Sequence, residues 1–220
     1  MIRPTVCAII PAYNEEATIT HVIHPLVSSE LIDEVFVVSD GSTDHTARVA
    51  EDAGARVHQL SRNRGKGEAM QYAVAHTQSE VLVFLDADLI GLTSDHIERL
   101  VLPVVNGARA MNVGIRDRGP VFTRLSHHLP LISGERALRR EVFEGVPGEY
   151  LHGFMVETSL NYFCRVHHLS YGTVDLPGLT IRRKYQKVSW PRAVVQYIGM
   201  SGEVVQAMLA VRLAKLFGRF

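Results

Sequence analysis

Two carboxylates separated by one small residue, Asp86-Ala87-Asp88, follow directly on the apolar run Val81-Leu-Val-Phe-Leu85. Alternate side chains of an extended chain point the same way, so Asp86 and Asp88 share one side and are placed to grip one divalent cation. A hard ion such as Mg²⁺ or Mn²⁺ takes oxygen ligands, draws one or two carboxylates from a protein, and leaves positions for the oxygens of a diphosphate. The chemistry implied is charge neutralisation as a diphosphate departs. Acids after strands also cap the next turn or helix, and that reading stands beside the metal one.

Asp40-Gly41-Ser-Thr-Asp44 follows another apolar run, Val35-Phe-Val-Val38. Gly41 permits close backbone approach and Asp40 can accept hydrogen bonds from a base or ribose, while Ser42 or Thr43 can cap the helix expected from Asp44. After the first run, Val6 to Ile10, comes Pro11-Ala12-Tyr13-Asn14-Glu15. There Asn14 is a candidate N-cap and Tyr13 is placed to flank a nucleobase. Arg62-Asn-Arg-Gly-Lys66-Gly67 sets three cations at a helix start, where free amides and the helix dipole favour a phosphate. It is not a Walker A loop, and no Gly-x-Gly-x-x-Gly follows the first strand, which argues against a dinucleotide-binding oxidoreductase.

Short apolar runs rich in Val, Ile and Phe alternate with amphipathic segments: strands at 6–10, 35–38, 56–58 and 81–85, helices over 15–28, 44–53 and 67–77. Continuous apolarity marks strands covered on both faces, and the order is that of a mostly parallel α/β sheet flanked by helices. Ligands of such sheets gather beyond the carboxyl ends of the strands, where all three acidic motifs lie. Further on, the spacing predicts a helix over 94–106 capped by Ser94, a strand over 108–114, a long loop over 116–132, helices over 135–143 and 154–168, and an extended segment over 173–183.

With 220 residues, 23 basic against 23 acidic side chains, and 46% hydrophobic residues, the chain reads as one globular domain over 1–191 with no field to draw nucleic acid. Within it, 1–115, which carries the three acidic motifs, is one half and 116–191 the other. Cys7 and Cys164 form no metal or disulfide pattern and point to a reducing, cytoplasmic setting. The segment Arg192 to Phe220 reads as a helical tail; after Glu203 its only charges are Arg212, Lys215 and Arg219, suiting either the inner face of a membrane or a second subunit, as in a homodimer.

Taken in order, Pro11 to Glu16, Asp40 to Asp44, Arg64 to Gly67 and Asp86-Ala-Asp88 resemble the donor half of family 2 glycosyltransferases with the GT-A, Rossmann-like fold. The resemblance implies a UDP- or GDP-linked sugar donor. It puts Pro11, Ala12, Tyr13, Glu15, Asp40, Gly41, Lys66, Asp86 and Ala87 around the nucleotide, and Asp88 with Asp86 on Mg²⁺ or Mn²⁺. Leu131-Ile-Ser-Gly134-Glu135-Arg136 and Met155-Val-Glu157 resemble the acceptor side of glucosyl-3-phosphoglycerate synthases, whereas small size and a basic apolar tail resemble polyprenyl-phosphate sugar transferases. Gly134, Arg136, Arg183 and Lys184 are then the residues for a phosphorylated acceptor. The synthases' late metal histidine has no counterpart in Ile181 to Gln186, leaving His152 as its candidate replacement.

An acceptor hydroxyl needs a base, for which Glu157 and Glu135 are the candidates; a lipid phosphate is already anionic and needs only alignment. A nucleotidyltransferase is disfavoured because Pro11-Ala-Tyr-Asn stands where a Gly-rich loop with Arg and Lys belongs. A catalytically inactive nucleotide-sugar-binding relative is the remaining alternative.

Overall fold

A computed structural model of the chain describes residues 3–116, 133–153 and 155–182. Its strands are β1 (Val6–Ala12), β2 (Glu34–Ser39), β3 (Arg56–Gln59), β4 (Val81–Phe84), β5 (Leu89–Ile90), β6 (Met111–Arg116), β7 (Arg136–Arg139), β8 (Tyr171–Leu176) and β9 (Thr180–Ile181). The helices are α1 (Ile19–Val27), α2 (Thr46–Asp52), α3 (Lys66–Ala75), α4 (Ser94–Val105), α5 (Arg140–Glu144) and α6 (Met155–Val166), with a 3₁₀ turn at Gly148–Tyr150.

Among the described residues the main sheet runs β3-β2-β1-β4-β7-β6-β8, and β5 pairs with β9 separately. β3, β2, β1 and β4 are parallel; β7 alone runs against both its neighbours. The apolar runs are buried on both faces. Val6, Ala8 and Ile10 join α1 and α4 in one core, whereas Cys7 and Ile9 join α3, α5 and α6 in another. Each buried Val, Ile or Leu contributes about 1.5–3 kcal/mol of transfer free energy.

The structure departs from the sequence reading at several boundaries. The expected helix over 135–143 is a strand, β7, followed by the short α5. Arg-Ala-Leu-Arg is a good helix former, but Ala137 and Leu138 lie on opposite faces of the sheet with no exposure, and filling the slot between β4 and β6 overrides propensity. α1 begins at Ile19 instead of Glu15, and Asn14, at φ 54°, turns its side chain to the backbone N–H of Thr43. Thr93, not Ser94, caps α4, its hydroxyl accepting from His96 N–H. Of the expected loop over 116–132, Arg116 instead ends β6 and 117–132 lie outside the described residues, as does the tail from Arg192. Within those residues no helix is long and apolar enough to cross a membrane.

Candidate functional site

The parallel register brings the carboxyl ends of β1, β2 and β4 to one rim, so Pro11 to Glu15, Asp40 to Asp44 and Asp86 to Asp88 meet there. β6 adds Arg116, and β7, running the other way, starts at that rim and brings Ser133 to Arg136 with it.

The donor-side loops are locked together. Asn14 N–H donates to Ser42 Oγ at 3.1 Å, Glu15 N–H to Thr46 Oγ1 at 2.8 Å, and His45 N–H to a Glu16 carboxylate oxygen at 2.9 Å. Asp40 is 3% exposed. Its two carboxylate oxygens accept the N–H groups of Arg64 at 2.7 Å and Gly65 at 2.8 Å. Expected on the base or ribose, Asp40 here shapes the turn that opens α3. Gly41, at φ 69°, lies flat on that turn, where a Cβ would fall 2.3 Å from the Arg62 carbonyl carbon. Tyr13 stands open at 45% exposure beyond the end of β1.

Lys66, the first residue of α3, reaches into the site. Its ammonium donates to Asp86 Oδ1 at 2.7 Å and Glu157 Oε1 at 3.2 Å. Burial alone would lower the lysine's pKa; Asp86 and Glu157 overcome it and raise it, keeping the ammonium charged. Burial likewise opposes ionisation of Asp86, but Lys66 and then Arg116 hold its carboxyl below the usual range. Asp88 goes the other way: burial and the charges of Asp86 and Glu15 raise it, with Arg116 opposing. The backbone of Asp88 is fixed by Arg182 N–H at 2.8 Å, which brings Arg182, directly after β9, alongside it.

Several expected acceptor residues are placed differently. Arg136 is 1% exposed and donates to the carbonyls of Ser133 at 2.5 Å and Glu157 at 3.4 Å, so its guanidinium is enclosed and ties the segment before β7 to α6. Glu135 is fully buried, accepting from Ser133 Oγ at 2.6 Å and pairing with Arg116 Nε at 3.3 Å. Burial, then the charge of Asp86, raises its carboxyl. With no exposure, its carboxylate is not open at the rim. Glu157 is 5% exposed and occupied with Lys66. Gly134 packs on Asp86 so closely that a Cβ there would lie 2.6 Å from Oδ1.

His152 is exposed, with its α-carbon 2.9 Å from where a Cβ on Gly67 of α3 would fall, and among the described residues no three His, Cys, Asp or Glu side chains converge as a metal site. Arg183 and Lys184 lie outside the described residues. The sequence reading missed Arg116, taken for the start of a loop. Its side chain ends 4.0 Å from Asp86 Oδ2, and its buried Nη1 finds no hydrogen-bond partner among the described residues. The strand expected over 108–114 in fact runs over Met111–Arg116, and this shift is what carries Arg116 to the same rim as the three acidic motifs.

The family model described as glycosyl transferase family 2 matches residues 7–163, spanning β1 to α6. The chain belongs to glycosyltransferase family 2. Glucosyl-3-phosphoglycerate synthase from Mycobacterium tuberculosis, solved with Mn²⁺, UDP and glucosyl-3-phosphoglycerate, superposes on this family 2 chain with a TM-score of 0.78 at 28% identity, over 94% of this chain and 80% of that one. The same enzyme in complex with phosphoglyceric acid gives 0.77 at 29% identity, with the same coverage. The 4,4'-diaponeurosporenoate glycosyltransferase of Staphylococcus aureus (strain USA300) is 39% identical over 98 residues, 42% of this chain but only 26% of its own length. The match thus spans about a quarter of that relative. The GT-A architecture expected of a family 2 member is the one observed, a mostly parallel sheet with its acidic motifs on the carboxyl rim.

Proposed function

We propose that this family 2 chain transfers a sugar from a nucleoside-diphosphate donor to a phosphorylated acceptor, with Asp86 and Asp88 supplying the carboxylates for Mg²⁺ or Mn²⁺. The observation that carries the reading is the charge arrangement around Asp86, where Lys66 and Arg116 approach one carboxylate from two sides while Asp88 stays crowded by acids. Two carboxylates at one rim suit a hard divalent ion, and such an ion would offset the charges of Asp86 and Glu15 that add to burial in raising Asp88. When bound, the ion neutralises charge gathering on the departing diphosphate. The solved neighbour's complex with Mn²⁺ and UDP supports the same assignment.

Arg116 holds a buried Nη1 with no hydrogen-bond partner among the described residues, suited to the oxygen of an anionic substrate. Both candidate bases are buried, Glu135 fully and Glu157 to 5% exposure, which favours an acceptor that needs no deprotonation. A phosphate oxygen then attacks the anomeric carbon, a new carbon–oxygen bond forms, and the bond to the nucleoside diphosphate breaks with its electron pair leaving on the diphosphate. A lipid phosphate such as a polyprenyl phosphate is such an acceptor. A second reading, transfer to a hydroxyl of a small phosphorylated acid, is favoured by the neighbour's complex with phosphoglyceric acid.

The test begins with thermal shifts against UDP- and GDP-sugars in Mn²⁺, where a donor at a hundred times its dissociation constant adds about 2.7 kcal/mol. The donor found is then offered polyprenyl phosphate and 3-phosphoglycerate. An acid-labile sugar phosphate product supports the first reading and a stable glycoside the second; donor binding with no transfer to any acceptor identifies an inactive relative.

A further inference from the structure

Among the described residues Asp86 takes its short ionic contact from Lys66, at 2.7 Å, while Arg116 stands off at 4.0 Å. A divalent ion shared by Asp86 and Asp88 and the ammonium of Lys66 are therefore rivals for one carboxylate, and like charges at ligand distance repel strongly where water is scarce. Lysine is a compact charge on a flexible four-carbon stem with three donors, so it can change partners without moving the helix that bears it. Glu157, at 3.2 Å from the same nitrogen, is 5% exposed and keeps the ammonium in the site when Asp86 is released. The missing partner for the freed donor is an anion arriving from the open side of the rim.

We infer that Lys66 is a specificity-determining residue that occupies the cation position on Asp86 until a diphosphate draws it away, so that the site takes a divalent ion together with a nucleoside diphosphate and discriminates against a monophosphate. The inference rests on the donor site proposed above and deepens it. Coupling of this kind is reciprocal: whatever factor the diphosphate adds to metal affinity, the metal adds to diphosphate affinity. An affinity held down by a competing state falls by the fraction of time the competent state is populated, so a Lys66–Asp86 contact present nine-tenths of the time weakens the metal about tenfold.

The experiment measures Mn²⁺ affinity directly, by electron paramagnetic resonance of the free ion, alone and with UDP, GDP or UMP, with binding of Mn²⁺ to the nucleotide in solution subtracted. Wild type is compared with Lys66→Met and Arg116→Met, each checked for folding by a circular-dichroism melt. With UDP or GDP the wild-type affinity for Mn²⁺ is expected to rise about tenfold or more, and with UMP less than about twofold. Lys66→Met is expected to bind Mn²⁺ without nucleotide about tenfold tighter than wild type. Arg116→Met removes a unit charge without removing a hydrogen bond to Asp86, and is expected to change that affinity by less than about threefold.

Equal gains in the two variants would mean a general field effect and overturn the inference, as would no gain in Lys66→Met or equal enhancement by UMP. If Lys66→Met does not fold, the wild-type comparison of diphosphate with UMP decides alone. Tight binding of Mn²⁺ and a diphosphate in all three proteins with no gain in Lys66→Met sinks the rivalry and spares the donor site. Binding of neither UDP nor GDP sinks the donor site and the inference with it.

Discussion

The α-carbon of Gly134 rests on the Asp86 carboxylate, with room for a hydrogen and nothing larger: a Cβ there would meet both carboxylate oxygens, at 2.6 and 2.7 Å. The contact joins the segment that leads into β7 to the acid at the end of β4, two pieces of chain nearly fifty residues apart.

Gly134→Ala tests that contact. The methyl group must push Asp86 off Lys66 or lift the loop, an overpacking that costs about 1–3 kcal/mol. Donor affinity is expected to fall about tenfold, the equivalent of 1.4 kcal/mol. Titration calorimetry with UDP and Mn²⁺ reads the second effect, and an unchanged affinity would show that Asp86 tolerates displacement.

Asp88→Asn keeps the side chain's size and removes its charge. Transfer is expected to fall by about a hundredfold or more, the usual cost of deleting one preorganised electrostatic contact at a reacting centre, and added Mn²⁺ should no longer raise the melting temperature in the presence of donor. Retained activity, unaffected by a chelator, would refute a metal role for this carboxylate.

Asp40 is the structural acid of the group. Asp40→Ala leaves two backbone N–H groups, those of Arg64 and Gly65, without acceptors, at a cost of about 1–3 kcal/mol for each that stays buried. Urea midpoints should fall accordingly, with Asp40→Asn losing less because its amide oxygen still accepts. A midpoint unmoved by the alanine would mean that water replaces the carboxylate at no cost.

The acid limb of stability is expected to run through Glu34 and Asp33. Burial pushes the Glu34 carboxyl up, but hydrogen bonds from Thr77 Oγ1 at 2.6 Å and Arg56 at 2.8 Å bring it below its ordinary value. Burial is likewise outweighed at Asp33 by Arg3 and by the N–H of Val6 at 2.7 Å. A depressed carboxyl contributes stability that is complete above its unfolded value, near pH 4, and is lost as the pH falls through the lower folded one. Melting temperatures measured from pH 7 to pH 3 should therefore fall more shallowly in Glu34→Gln and Asp33→Asn, from a lower starting point, and parallel curves would exclude these acids.

The donor half was legible because its signals are local. Continuous apolar runs mark buried parallel strands, and the polar residues that follow mark the rim, so the positions of Asp40, Asp86 and Asp88 at strand ends and of Lys66 at a helix start could be read from the sequence. What the sequence hid depends on distant chain. Lys66 meets Asp86 twenty residues on and Glu157 ninety-one residues on, and no periodicity records either contact. Arg136 was expected on the acceptor side through the resemblance alone; its burial follows from β7 filling the middle of the sheet. The burial of Glu135, directly ahead of that strand, is hidden for the same reason.

Because β7 runs against its neighbours, it meets the rim with its first residue, where the other central strands meet it with their last. The chain ahead of it is thus free to vary in length and chemistry without disturbing the register of β1 to β4. If the activated sugar is held on β1 to β4 as proposed above, β7 is the strand at which that side of the site meets the side that receives the sugar. Chimeras that exchange only the stretch between β6 and β7 among relatives are expected to keep their preferred nucleotide while changing what they decorate, and a switch of nucleotide in such a chimera would show that β7 is not where the two sides meet.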